Sequence, residues 1–508
     1  MARPSVHSTA VRAGALGAVV LVAVGVAVAL QRNGHTQGDD FALYLRQARS
    51  VFDGDMGKVV ADNRFTVVNS DRGFSPIAYP WGWPLLLSPF VHLWGLDYGR
   101  LKLVEVAVFA TWLVLLHGIV RRRAGRVTAL ALTAVIATAP LFLAHTDQLL
   151  TEFPHVAAVA VAIWWYDRVR DKAPLIHSST SDLVVLGALI TVAFNMRREG
   201  IVLIAVVGLM QVAELLDRAR GSGAGRRRAL TREVRESWRT IVLPHASFAG
   251  TTVLFQLLLP TMLLPSNGNS RKYIDNRFGD YPEVLAKHLG LGGHPAFGVA
   301  IIAIALAGVV VGVSRRPSLD GPLALLAFFS ALAISTHFRM VDRYWFQVTP
   351  WVLYFAAVAM TAAVDAIVRR RPRLAVAVGT APLLALVLAH AVVLPGDIGD
   401  ARAFDSAGRV QIGPAHPDVI TVYDAVRDRT PPTAVIAFFR ARTMTLLTDR
   451  LAIQSSNIDR VRQRADYFAQ RRGENYWQSK LTTEQAHDLG FEMVWSDPLW
   501  ILWKLTPP

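Results

Sequence analysis

Two adjacent carboxylates, Asp39 and Asp40, stand at the start of the run Asp40-Phe41-Ala42-Leu43-Tyr44-Leu45. Phe41, Tyr44, Leu45 and Ala48 follow at spacings of three and four, which gathers them on one helical face. A helix with such a face lies along a membrane interface and holds the two acids at its edge. A carboxylate there loses part of its hydration, which raises its basicity. It can then take a proton from an attacking hydroxyl, so Asp39 and Asp40 are candidate general bases. The alternative is that Asp39 only caps the helix, a common role for aspartate.

Cations recur beside apolar runs. Arg197-Arg198-Glu199 lies between two of them, and Arg339, Asp342 and Arg343 follow another, beside His337 and Tyr344. Asp147 and Glu152 flank a further junction. Arginine pressed against a membrane needs an anionic partner. Guanidinium binds phosphate oxygens in pairs, so a lipid phosphate would suit it. The alternative is local pairing, Arg197 or Arg198 with Glu152 or Glu199, and Arg339 or Arg343 with Asp342. The turn from Pro76 to Pro89 adds Tyr79, Trp81 and Trp83. Tryptophan there could stack on a sugar or simply anchor at the headgroup level. No cofactor is demanded. A divalent cation held by Asp39 or Asp40 with Asp147 is a candidate, and no histidine pair has ligand spacing.

The elements that position these residues follow from composition. Of 508 residues, 53% are hydrophobic and 18% charged, whereas a soluble domain carries about a quarter charged residues. This describes a polytopic membrane protein and excludes a soluble enzyme, a disordered tail and a fibrous chain. The net charge of +15 does not point to nucleic acid. The arginines form short blocks between apolar runs, without the interleaved aromatics of a base-stacking surface. Cysteine is absent, which removes disulfides and thiolate chemistry.

About eleven runs reach or approach the roughly 20 residues needed to span a bilayer: 11–30, 101–120, 127–144, 149–166, 183–196, 200–216, 241–264, 295–313, 322–334, 344–368 and 374–394. The first reads as a retained signal anchor with its N-terminus in the cytoplasm. With that orientation, connections 121–126, 167–181, 217–240, 314–320 and 369–373 face inward, and each is basic or holds a basic cluster. The 70-residue loop 31–100, the loop 265–294 and everything after 394 then face outward. The expected fold is a polytopic α-helical membrane domain over 1–394, followed by an extracytoplasmic α/β domain over 395–508. In that domain an amphipathic helix is expected at 418–429 and strands at 434–439, 491–495 and 500–505. Thr482 with Gln485 signals a capping box for a helix ending at Gly490.

These features together resemble the GT-C superfamily of membrane glycosyltransferases. The nearest branch contains the protein O-mannosyltransferases and lipid A aminoarabinose transferases. The likeness rests on Gly38-Asp39-Asp40 after the first span, the Tyr79–Pro89 turn and Thr151-Glu152. Arg197-Arg198-Glu199-Gly200 and the segment from Arg343-Tyr344 to Pro350 extend it. The resemblance implies inverting transfer of a sugar from a polyprenyl-phosphate donor to an extracytoplasmic glycan, lipid or protein. It implies Asp39 as the base with Asp40 beside it, and Arg197 and Arg343 with Tyr344 near the lipid phosphate. Aminoarabinose-transferase relatives carry a lysine in a Lys-Pro-Pro turn after the first loop. Here the turn is Tyr79-Pro80-Trp81-Gly82-Trp83-Pro84, so other cations must hold the phosphate. The competing functions are a transporter or lipid flippase, and a scaffold that presents the C-terminal domain.

Overall fold

Long alanine-, valine- and leucine-rich runs can satisfy their backbone in lipid only as helices, and helices dominate the computed structural model. It describes residues 6–71, 74, 76–221, 226–259, 277–335, 341–368, 371–473, 475 and 477–506. His337 and Arg339 lie outside the described residues, as does 265–276 of the second outer loop.

The first helix, α1 (Val6–Ala29), leads to three helices of the first loop: α2 (Asp40–Asp53), α3 (Met56–Asn69) and α4 (Gly82–Trp94). Next come α5 (Tyr98–Thr138), α6 (Pro140–His145), α7 (Glu152–Lys172), α8 (Thr180–Met196), α9 (Val202–Gly221) and α10 (Arg226–Leu258). The membrane domain ends with α11 (Arg277–His288), α12 (Pro295–Arg315), α13 (Pro317–Ser335), α14 (Thr349–Val368) and α15 (Pro372–Ser406). Among the described residues, seven helices are long and apolar enough to cross a membrane, and Gly14–Ala29 and Thr180–Met196 are shorter apolar helices.

Three features differ from the sequence expectations. The runs 101–120 and 127–144 were expected as separate spans, but α5 carries the first and much of the second, broken only at Gly125. There φ is +80°, a conformation glycine adopts without steric cost. The Pro76–Pro89 turn becomes helix from Gly82 onward: Pro84 falls in the first turn of α4, where proline is tolerated, and at the interior Pro89 the Ser88 hydroxyl donates to the Leu85 carbonyl that proline leaves unbonded. The last helix does not stop at 394; Pro395 lies inside α15, which runs on to Ser406.

The C-terminal region comprises α16 (Pro417–Arg429), β1 (Val435–Ala437), α17 (Ala441–Thr448), β2 (Leu451–Ile453), α18 (Ile458–Arg464), β3 (Tyr467–Arg471), α19 (Thr483–Asp488), β4 (Glu492–Ser496) and β5 (Trp500–Lys504). The sheet order is β2-β1-β3-β5-β4. β1 pairs in parallel with β2 and β3, whereas β5 is antiparallel to β3 and β4. The expected fold class therefore holds: a multi-pass helical membrane domain followed by a small α/β domain. The capping box at Thr482 is present in both its bonds.

The α/β domain is docked on the first loop. Asp71 accepts hydrogen bonds from the Ser455 hydroxyl and the Ser456 N–H, each 2.7 Å. Arg460 donates to the Ser70 carbonyl at 2.7 Å. Leu446 of α17 joins the apolar cluster of Phe41, Leu45, Trp83, Leu87 and Tyr98. This packing fixes the face of loop one that carries the acids.

Candidate active site

The apolar stripe of α2 decides where its two acids go. Phe41, Tyr44, Leu45 and Ala48 are all buried, which locks the rotation of the helix. Asp39 then turns inward and Asp40 stays partly open, its side chain 40% exposed. The Asp39 side chain does not cap α2. It accepts a hydrogen bond from the Arg442 backbone N–H at 3.2 Å. With the Gln454 amide in its satisfied orientation, Asp39 also accepts from that nitrogen at 3.3 Å. Burial pushes the Asp39 carboxyl above the usual range, against the pull of Arg440 and Arg442.

Asp40 has different partners. The Tyr79 hydroxyl donates to its Oδ1 at 2.6 Å, and Arg343 Nη2 lies 3.5 Å from its Oδ2. The Tyr79 backbone is held by the Gln47 amide, which donates to its carbonyl at 3.0 Å and accepts from its N–H at 3.3 Å. Burial and the nearby Asp40 charge hold the Tyr79 phenol well above its ordinary pKa. It stays protonated and can only donate to the carboxylate.

Glu152 opens α7 and joins two arginines. Its Oε1 accepts from Arg197 Nη1 and from Arg343 Nε, each at 2.8 Å. Arg197 leaves the end of α8 in extended backbone and also donates to Glu199 at 2.9 Å. Both guanidinium groups lie over the Tyr344 ring, at 4.8 and 5.6 Å from its centroid. Burial opposes the charge on Arg197, but Glu199 and Glu152 outweigh it and hold its pKa well above normal. Arg343 behaves likewise, with Glu152 as the main offset to burial. The short helical turn Asp342–Gln347 that presents Arg343 is pinned by His288, whose ring bonds the Asp342 carbonyl at 3.0 Å. Phe346 stacks on Phe142 beneath it, 4.1 Å between centroids.

Asp40, Tyr79, Glu152, Arg197, Arg343 and Tyr344 thus come together. The remaining expected residues sit elsewhere. Asp147 receives Lys102 Nζ at 2.6 Å, Gln411 Nε2 at 2.7 Å and the Arg32 N–H at 3.2 Å. It ties the end of α1, the start of α5 and the linker before α16, so it does not join Asp39 or Asp40. Among the described residues no three histidine, aspartate or glutamate side chains gather as a metal site. The candidate cation set does not assemble, and no step below uses a metal. Arg198 lies over Phe194, 4.7 Å from the ring centroid. Trp81 and Trp83 are fully buried, which leaves neither indole a face for a sugar. Gly82 between them lets α4 approach α8: a Cβ there would stand 2.6 Å from the Asn195 carbonyl oxygen.

One residue of this cluster escapes sequence reasoning. Arg442, from α17 of the C-terminal domain, is almost fully buried. It donates to Asn63 Oδ1 at 2.9 Å, to the Pro76 carbonyl at 2.7 Å and to the Tyr79 hydroxyl at 3.4 Å. A signal is present: Arg440 and Arg442 directly follow the apolar run from Ala434 to Phe439. A buried cation needs its hydrogen bonds satisfied, and loop one supplies the acceptors: an amide oxygen, a carbonyl and a phenol.

In chemical terms, the cluster sets a partly open proton acceptor beside two guanidinium groups. The acceptor is oriented by a phenol, and the guanidinium groups share one carboxylate oxygen.

Residues 79–218 match the profile of the dolichyl-phosphate-mannose-protein mannosyltransferase family. No curated protein sequence matches the chain. The fold is similar to that of ArnT from Cupriavidus metallidurans in the apo state, with TM-score 0.54, 12% identity and coverage of 98% of this chain and 99% of that one. The same protein bound to undecaprenyl phosphate gives TM-score 0.51 and 13% identity, covering 97% and 98%. The apo oligosaccharyltransferase of Archaeoglobus fulgidus gives TM-score 0.53 and 12% identity, covering 91% of this chain and 69% of that one. The resemblance to GT-C glycosyltransferases read from the sequence is borne out by the family profile and by the fold.

Proposed function

We propose that the protein is an inverting glycosyltransferase that moves a sugar from a polyprenyl-phosphate donor to an acceptor hydroxyl on the extracytoplasmic side. Asp40 is the general base in this reading, and Asp39 is a strut between loop one and the C-terminal domain. The observation that carries the reading is the Asp40 carboxylate, open to solvent and 3.5 Å from Arg343 Nη2. At 3.5 Å this pairing is loose, while Glu152 holds Arg343 through Nε, so Nη2 is left available to an incoming phosphate. The family profile over 79–218 and the undecaprenyl-phosphate complex of the structural neighbour ArnT support this donor class.

The chemistry follows from where charge moves. The sugar C1–O bond to phosphate breaks and its electron pair stays on the phosphate oxygen. Preorganised cations are most effective where such charge grows, and Arg197 and Arg343 take that role in this reading. The acceptor oxygen attacks C1 from the opposite face while Asp40 takes its proton. Back-side attack inverts the anomeric centre, and no nucleotide is needed.

The test uses the full chain in lipid nanodiscs, tritiated polyprenyl-phosphate mannose and a panel of envelope acceptors. The expected outcome is release of free polyprenyl phosphate with label on an acceptor. Asp40→Asn should lower turnover about 10²- to 10⁴-fold, the usual weight of a general base, and Asp39→Asn should lose much less. Full turnover by Asp40→Asn would remove it as the base. A donor that crosses the bilayer with its sugar still attached would make the protein a flippase.

A further inference from the structure

We propose that the C-terminal domain completes the active site through Arg442, which holds the Tyr79 phenol in place to orient the Asp40 carboxylate. This rests on Asp40 acting as the base and names a positioning device for it.

The geometry is a relay of contacts from one domain into the other. Arg442 leaves the first turn of α17 and enters the crevice between α3 and the 76–79 segment. Its planar group is fixed on several sides. Nε is held by Asn63, Nη2 by the Pro76 carbonyl, and the guanidinium carbon lies over the Phe74 ring, 4.7 Å from the centroid. That leaves Nη1 aimed at the Tyr79 hydroxyl, 3.4 Å away, and 3.9 Å from Asp40 Oδ1. The phenol oxygen accepts from Arg442, and its O–H donates a hydrogen bond to Asp40. Asn63 also donates to the Pro76 carbonyl at 2.9 Å, so the 76–79 segment is clamped where Arg442 enters.

Two features separate this from plain domain docking. Ser455, Ser456 and Arg460 already join the domains through Asp71 and Ser70, with no need for a buried cation. Burying a guanidinium is costly unless it is paired and bonded. Yet among the described residues the Arg442 guanidinium has no carboxylate closer than Asp40 at 3.9 Å. Its bonds go to groups that fix Tyr79 and its loop. Such an arrangement serves the direction of the phenol O–H more than attachment of the domain. The planar fork also makes lysine a poor substitute, since a point charge cannot hold Asn63, Pro76 and Tyr79 together.

The experiment compares Arg442→Gln, Arg442→Ala, Tyr79→Phe, the Arg442→Gln/Tyr79→Phe double variant and Asp40→Asn in the full chain. Three quantities are read: turnover of polyprenyl-phosphate mannose, affinity for undecaprenyl phosphate and thermal unfolding. Tyr79→Phe keeps the ring and removes only the hydroxyl, so it remains informative if an arginine variant misfolds. We expect kcat to fall at least tenfold in Arg442→Gln and in Tyr79→Phe, with undecaprenyl-phosphate affinity within twofold of the parent. The double variant should lose no more than the larger single loss, because both substitutions break one device. Millimolar guanidinium should restore part of the turnover of Arg442→Ala. If Tyr79→Phe retains full kcat, if the two losses multiply, or if the loss follows unfolding alone, the device is refuted while Asp40 stands. If Asp40→Asn turns over normally, the base assignment and this inference fall together.

Discussion

Glu152 is the residue through which the two arginines are made one unit. A single carboxylate oxygen receives Arg197 and Arg343, both at 2.8 Å, with the Glu152 side chain only 5% exposed. Removing one partner of a buried ion pair leaves uncompensated charge, a loss of about 3 to 5 kcal/mol. Glu152→Gln keeps the shape and removes the charge. It should lower the midpoint of thermal unfolding by several degrees and loosen the position of both guanidinium groups over Tyr344. An unchanged midpoint in the purified variant would show that the three side chains are not coupled. Asp40, Tyr79, Glu152, Arg197 and Arg343 could all be picked from the sequence, because each is a polar group at the edge of an apolar run. The division of labour between Asp39 and Asp40 could not. The α2 stripe turns Asp39 inward, but the partner it meets there is the Arg442 N–H, 403 positions away, and local spacing carries no trace of that contact.

Elements position these residues through joints of the same long-range kind. His35 sits just after α1 and is almost completely buried. Its Nδ1–H donates to the Thr36 carbonyl at 2.8 Å, and its Nε2 accepts the Leu149 N–H at 3.1 Å. It therefore links the exit of α1 to the junction that leads into Glu152 and α7. Burial, with Lys102 adding to it against the Thr36 bond, lowers the His35 pKa to about 3. In the unfolded chain it is about 6.5. The folded value is the lower one, so the native state excludes the proton. Stability is intact above the unfolded pKa and is lost as pH falls toward the folded value. Between pH 7 and pH 5 the loss is about 2 kcal/mol by linkage. Comparing the unfolding midpoint of parent and His35→Gln at both pH values checks this. The parent should lose more on acidification, and equal slopes would rule out titration of His35 as the cause. Helix type was readable here from apolar periodicity, and helix ends were not. The α5 run hides its break at Gly125, and α15 continues past Pro395 because the helix is supported beyond the apolar stretch. The short β1, β4, β5 and α19 could be read because continuous apolar runs or a capping box mark them, whereas α17, α18, β2 and β3 carry threonine, arginine or glutamine inside or beside too few apolar residues to stand out from loop.

At the scale of the whole molecule, the proposed reaction needs the Asp40 cluster, loop one and the C-terminal domain on the side opposite the arginine blocks. Architecture alone joins the first two to the third: Asp71, Arg442 and Leu446 make loop one and the α/β domain a single docked body. Charge predicts which side of the bilayer holds that body. The basic connections, among them the start of α10 with Arg227, Arg228, Arg232 and Arg235, should stay in the cytoplasm. The natural absence of cysteine allows a direct measurement, because any thiol introduced is the sole target for a maleimide. Glu484 is exposed on the C-terminal domain, and Arg232 is 78% exposed on the polar end of α10. In intact cells, a membrane-impermeant maleimide should label Glu484→Cys at once and spare Arg232→Cys until the membrane is permeabilised. The reverse pattern would put the Asp40 carboxylate in the cytoplasm. Asp40 and Arg343 would still lie side by side, but a donor presented at the outer leaflet could not reach them. The distribution of arginine along the chain would then have misjudged the side of the membrane while leaving the geometry of the site intact.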